Sequence, residues 1–153
     1  MEYGDMTLFC ADLANPLAGF FNVGWLGGKT KFPEASVLDS DIEQLKSLIF
    51  LPAFRSCHFR ISRGFASCPV CNDGGLVTSV IHGETRMLGD FLILLPSLKR
   101  GEYFVSPSLI LHYVEFHGYK PPKMYIDSLR ALNEGDAISA ASIFNDAVSN
   151  NAG

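Results

Sequence analysis

The stretch Ser106-Pro107-Ser108-Leu109-Ile110-Leu111-His112-Tyr113-Val114-Glu115-Phe116-His117-Gly118 carries the clearest local signal in the chain. Ser106 offers the side-chain oxygen of an N-cap. Pro107 suits the first helical position, where its missing N–H would be unpaired anyway. Gly118 supplies the left-handed residue that ends many helices. Nearly every residue between these marks is apolar, so the spacing predicts a helix buried on most sides. Two histidines, His112 and His117, stand on it.

Further helices are expected on either side of this one. Pro121-Pro122 opens a helix with Tyr125, Ile126, Leu129 and Leu132 inward, and Asp136 is expected to cap another with Ala137, Ala141, Phe144 and Val148 on one face. Upstream, Ser40 and Glu43 have the spacing of a capping box. Ile42, Leu45, Leu48 and Ile49 then recur at helical intervals until Pro52. Strands are expected at Leu76 to Ile81, Phe91 to Leu95 and Tyr103 to Val105, with turns at Asn72-Asp73-Gly74-Gly75 and Lys99-Arg100-Gly101-Glu102. Met6 to Asp12 and Gly19 to Leu26, separated by Asn15-Pro16, read as an N-terminal hairpin that bends at Gly27-Gly28. Phe54 to Arg63 fits strand or loop equally well. The sum is an α+β fold: a small mixed or antiparallel sheet with a helical C-terminal third.

A length of 153 residues with 48% hydrophobic composition suits one domain with a sizeable core. No repeat or linker divides it. Residues 1–149 are expected to form that domain, with 150–153 as a disordered tail. The net charge of -4, with 12 Lys+Arg, argues against a nucleic-acid surface, which needs basic residues to neutralise phosphates. A basic protein partner is the better electrostatic match. Mean hydropathy is only slightly positive at +0.18. No apolar run approaches the ~20 residues of a membrane-spanning helix, and no basic segment precedes an apolar one at the N-terminus, so the expected location is cytoplasmic.

In a reducing compartment, a close cysteine pair more often holds metal than forms a disulfide. Cys68-Pro69-Val70-Cys71 is such a pair, spaced so that two thiolates can meet on one tetrahedral ion. Cys10 and Cys57 stand apart and are expected to be buried thiols. His112 and His117 form an H-x4-H pair within the interval used by paired imidazole ligands. Five residues of ideal helix separate two side chains by ~140°, too wide for easy chelation. Gly118 lifts that objection, because a last turn can tighten or fray and swing His117 inward.

The expected metal site is therefore Cys68, Cys71, His112 and His117 around a zinc ion, a closed set that would be structural. Other readings stand beside it. His112 also fits a core histidine bonded to a carbonyl, and His117 a residue favoured at the helix's negative end. Cys57 and His58 are rival ligands. A redox pair fits less well, since no helix opens at Cys68 to lower a thiol pKa. Asp39, Asp41 and Glu43 read as acidic residues favoured at a helix start. The scattered Arg55, Arg60, Arg63, Arg86, Lys99 and Arg100 read as solvated or ion-paired. No phosphate loop, dinucleotide fingerprint or nucleophile turn is present, and no catalytic residue is assigned.

Three stretches occur together in order: Val23-Gly24-Trp25-Leu26 with Phe32-Pro33, Arg63-Gly64-Phe65 leading into Cys68-x-x-Cys71, and His112-Tyr113-Val114 with His117-Gly118-Tyr119-x-Pro121-Pro122. Jointly they resemble a bacterial family of small proteins defined by a domain of unknown function, over residues 19–130. Many members of that family carry a histidine two positions before the first knuckle cysteine. Here that position is Ala66, which favours His112 or His117 as the imidazole donors. The resemblance implies no activity. By analogy of type, small acidic bacterial proteins often act as immunity partners of toxins, so the expected function is a binding protein that occludes a basic toxin by direct contact. Two alternatives belong to other classes: a metal-dependent hydrolase with an open zinc site, and a metal- or redox-responsive regulator.

Overall fold

A computed structural model describes residues 2–10, 15–29 and 31–151. Its centre is a four-stranded mixed sheet of β1 (Phe20–Asn22), β2 (His58–Phe59), β5 (Leu92–Pro96) and β6 (Tyr103–Pro107), in the order β1-β6-β5-β2. β6 pairs parallel with β1 and antiparallel with β5, and β5 pairs antiparallel with β2. A separate two-stranded ribbon joins β3 (Val77–Ile81) to β4 (Glu84–Leu88). The helices are α1 (Asp39–Phe50), α2 (Ile110–His117), α3 (Lys123–Ala131) and α4 (Ala140–Asn151), with short 3-10 turns at Pro52–Cys57 and Glu134–Asp136.

The sheet is covered on both faces, which explains why β5 is continuously apolar rather than alternating. Strand periodicity sorts its side chains. Ile93, Leu95 and Phe104 enter the larger core with Leu45, Leu48, Tyr113, Tyr125 and Leu129 of α1, α2 and α3. Leu94, Val105, Phe20 and Phe59 point the other way, into a second core closed by Phe9, Leu17, Ala140 and Phe144. The Arg60 guanidinium lies over the Phe9 and Phe144 rings at 5.7 and 5.0 Å and covers the edge of that core.

Several local expectations give way to tertiary pairing. Ser106 and Pro107 do not open α2. They end β6, where Leu92 faces Pro107 and Ile93 faces Ser106. The buried Ser106 hydroxyl donates to Tyr125 Oη at 3.3 Å instead of capping a helix. α1 begins at Asp39, and neither Ser40 nor Glu43 makes the side-chain bonds of a capping box; the Leu38 carbonyl accepts from Asp41 and Ile42 N–H instead. Asp136 lies in the 3-10 turn, and α4 starts only at Ala140, so Ala141 is exposed while Ala140 and Phe144 are buried.

At the N-terminus the two expected arms do pair, through an antiparallel bridge of Leu8 with Phe21 and bonds such as Phe9 N–H to Phe20 O at 2.8 Å. The second arm leaves the sheet at Asn22 rather than at Leu26. Ala11 and Asp12, the end of the first arm, lie outside the described residues. Helix α4 continues through Asn151, past the expected start of the tail, and residues 152 and 153 are outside the description. Among the described residues, no helix is long and apolar enough to cross a membrane.

Candidate metal centre

The Cys68–Cys71 knuckle is a tight turn in which Asn72 N–H donates to Cys68 O at 3.0 Å and Cys71 N–H points at Cys68 Sγ at 3.3 Å. An N–H aimed at sulfur stabilises the thiolate form that a metal needs. The loop leading to the knuckle is fixed at Gly89, whose carbonyl accepts from Ala66 N–H at 3.0 Å and whose own N–H donates to Ser108 Oγ at 2.8 Å. A Cβ at position 89 would meet the Ala66 carbonyl oxygen at 2.7 Å, so the close approach requires glycine. The Ser108 hydroxyl thus ties the knuckle loop to the entrance of α2.

On the other side, α2 presents His112 from its buried middle and His117 as its last residue. Gly118 follows in the left-handed conformation at φ 66°, and Tyr119 N–H reaches back to Tyr113 O at 3.1 Å. Both imidazoles face the cluster with Nε2, the ring nitrogen farther from the backbone. The separation around the helix is bridged by these two rings converging at the helix end, where Nε2 meets Nε2 at 3.2 Å.

Cys71 Sγ lies 3.3 Å from each of the two Nε2 atoms, and Cys68 Sγ is 3.5 Å from His117 Nε2. All four donor atoms fall within 4.8 Å of one another. A tetrahedral zinc ion, with bonds of ~2.0–2.1 Å to nitrogen and ~2.3 Å to sulfur, requires N–N edges of ~3.3 Å and N–S edges of ~3.6 Å. The observed edges match within a few tenths of an ångström. Four lone-pair donors crowded at these distances repel unless protons or a cation stand between them, so the chemistry of the set suits a metal ion such as zinc. Two are buried, one is half-buried, and Cys71 is exposed.

The electrostatics follow from the packing. Burial, helped by the neighbouring His117, holds His112 below the ordinary histidine range, so it stays neutral and able to ligate. Desolvation among its neighbours, then the hydrogen bond and charge of Cys68, push the Cys71 thiol up. Burial and the two thiols raise the Tyr113 hydroxyl, which stays protonated. His112 Nδ1 is buried without a hydrogen-bond partner among the described residues. Asp73, expected only as a turn residue, is close enough for its charge to act on both Cys71 and His112. Its position two residues past the knuckle was the available signal. With Cys71, Thr78, His112 and Phe116 it lines a cleft of ≈ 170 Å³ beside the cluster.

The rival ligands are elsewhere. Cys57 is fully buried, and desolvation raises its thiol despite a backbone hydrogen bond at Ile138. His58 stacks on Phe91 with centroids 4.1 Å apart and shares a 2.8 Å hydrogen bond with Leu48 O. Cys10, expected to be buried, is half-buried. Of the helix-start acids, Asp41 forms a bidentate pair with Arg130 of α3, both bonds 2.8 Å.

A small α+β domain organised around a cluster of two cysteines and two histidines, compatible with a metal ion, is the class that fold and site define. Residues 1–130 match the domain of unknown function DUF7919, and the chain belongs to that family. No curated protein and no solved structure matches it.

Proposed function

We propose that Cys68, Cys71, His112 and His117 hold one structural zinc ion, and that the domain is a non-enzymatic binding protein. The observation that carries the metal reading is the set of donor edges between 3.2 and 3.5 Å, drawn from two segments 41 to 49 residues apart. Four protein donors complete the zinc coordination and leave no position for substrate. The ion's role is then to fasten the knuckle loop to α2, and its binding free energy adds to the stability of the fold.

Metal analysis of protein purified without chelators tests this. One zinc per chain is expected, falling to background in Cys68→Ser and Cys71→Ser with a lowered melting temperature. Stoichiometric zinc in both variants rules the reading out.

The partner reading is narrower and rests on the net charge of -4, which suits a basic surface. An immunity protein covering the basic site of a bacterial toxin fits that charge and needs no catalytic residue. Co-purification with the product of an adjacent toxin gene, and protection of cells against it, are expected. Failure to protect removes this reading without touching the zinc site.

One observation favours an enzyme instead: Cys71 is exposed and borders the ≈ 170 Å³ cleft. If Cys71 is not a ligand, water takes the fourth position and the cleft becomes a substrate site. Zinc retained at full stoichiometry in Cys71→Ser, with only Cys68→Ser losing it, supports that alternative.

A further inference from the structure

A second recess, sharing no residue with the Cys/His cluster, lies between the N-terminal segment and the chain that follows β1. Glu2, Tyr3, Asp5, Trp25, Lys31 and Phe32 are among the residues lining this cleft of ≈ 250 Å³. The Trp25-Leu26 and Phe32-Pro33 stretches singled out in the sequence, which the metal centre does not use, both contribute to it.

Three of its walls are aromatic and held in place. Tyr3 and Trp25 meet edge to face, centroids 5.2 Å apart and planes at 74°, so two neighbouring walls stand nearly at right angles. Trp25 is fixed by its Nε1–H, which donates to Val105 O at 3.0 Å. Phe32 packs at 71° against the fully buried Tyr119. All three rings are half-buried, as a lining requires.

The charge around these rings is acidic. Asp5 accepts from Gly24 N–H at 3.0 Å and from the Tyr119 hydroxyl at 2.7 Å. Both donors are neutral, so they position the carboxylate without cancelling its charge. Burial and the Asp5 charge together raise the Tyr119 hydroxyl, which keeps its proton for this bond. Glu2 brings a second carboxylate, and Lys31 at the exposed rim is the one cation among the described residues of the lining.

We propose that this cleft binds a methylated ammonium group, as carried by choline or by a trimethylated lysine. Aromatic faces are electronegative and attract a cation, while its methyl groups bury against the rings at little desolvation cost. The carboxylates supply the countercharge. An anion would meet two acids, and a neutral apolar group would leave Asp5 uncompensated.

The chain has a single tryptophan, so its fluorescence reports on this cleft directly. The full chain is titrated with choline and with 3,3-dimethyl-1-butanol, which has the same shape without the charge. A saturable change in Trp25 emission with choline is expected, with the neutral probe at least about tenfold weaker. Phe32→Leu, which keeps the apolar bulk but loses the ring, weakens choline binding by about three- to tenfold. Glu2→Gln weakens it and Lys31→Gln strengthens it, each read on protein whose circular dichroism matches the parent. A trimethyllysine peptide that binds more tightly than choline identifies a protein source for the ligand, and equal affinity a small molecule. Equal responses to the charged and neutral probes, or no saturable response to choline from folded protein, overturn the proposal. So does unchanged choline affinity in Glu2→Gln together with a folded Phe32→Leu.

Discussion

Cys71 Sγ sits 3.3 Å from His112 Nε2, although 41 residues separate them in the chain. The contact spans the join between the knuckle loop and a buried helix. A ligating thiol must give up its proton and a ligating imidazole must be neutral, so metal affinity falls with acid. The two titrate differently here. Burial keeps His112 neutral further into acid than an ordinary histidine, whereas Cys71 is pushed up and takes its proton back first. Zinc release is therefore expected to increase steadily as pH falls and to be governed by Cys71. A chromogenic chelator followed across the pH range measures it; release that instead tracks a single ordinary histidine titration contradicts the assignment.

The same pair of cysteines differs in access. Cys68 is 1% exposed, whereas Cys71 lies at the surface. Alkylation of chelator-treated, still-folded protein should modify Cys71 well before Cys68 or the buried Cys57, and bound zinc should slow the reaction at Cys71. Mass-spectrometric peptide mapping at successive times reads the order. Modification of Cys68 and Cys71 at equal rates would mean the knuckle has opened rather than kept its form.

Each half of the Cys/His cluster was legible in the sequence because its spacing is local: two residues between cysteines, four between histidines, and a glycine to end the helix. The start of α2 was not. Ser106 and Pro107 have the look of a helix entrance, but their partners, Ile93 and Leu92 in β5, lie outside any local window. Strand β4 was missed for a related reason. Its first four residues, Glu84, Thr85, Arg86 and Met87, are exposed and only Leu88 is buried, so no alternation of apolar and polar residues marks it. The signal lay in the turn: His82 and Gly83 both have positive φ, at 49° and 78°, the pattern of a two-residue hairpin. That turn joins β3 to β4. Asp41 shows the limit of reading helix ends alone, since its partner Arg130 is 89 residues away.

That pair gives a pH dependence. Hydrogen bonds from Arg130 lower the Asp41 carboxyl from its ordinary 3.8, against the opposing effect of its own burial. A carboxylate whose pKa is lower in the folded state adds stability at pH above its unfolded value, and that stability is lost as pH falls through the folded value. Asp41→Asn is therefore expected to be less stable than the parent at neutral pH, with the gap closing below about pH 4. Urea unfolding at a series of pH values checks this. A gap that stays constant into strong acid would show that the pair adds no charge-dependent stability.

Glycine at two positions does different work, and alanine substitutions separate the causes. At Gly118 a Cβ would meet nothing within 4 Å, so only the left-handed backbone at φ 66° penalises alanine, by about 1–2 kcal/mol. At Gly89 the backbone is also left-handed, at φ 105°, and the Cβ would press on the Ala66 backbone, with oxygen at 2.7 Å and nitrogen at 3.0 Å. Neither neighbour is a flexible side chain, so relief means moving the loop that carries the knuckle. Gly89→Ala is thus expected to cost more stability than Gly118→Ala and to weaken zinc retention by displacing Cys68 and Cys71. Thermal melts with and without added zinc, alongside metal content, distinguish the two. Equal destabilisation with zinc retained in both would mean that the Ala66–Gly89 contact does not hold the knuckle in place.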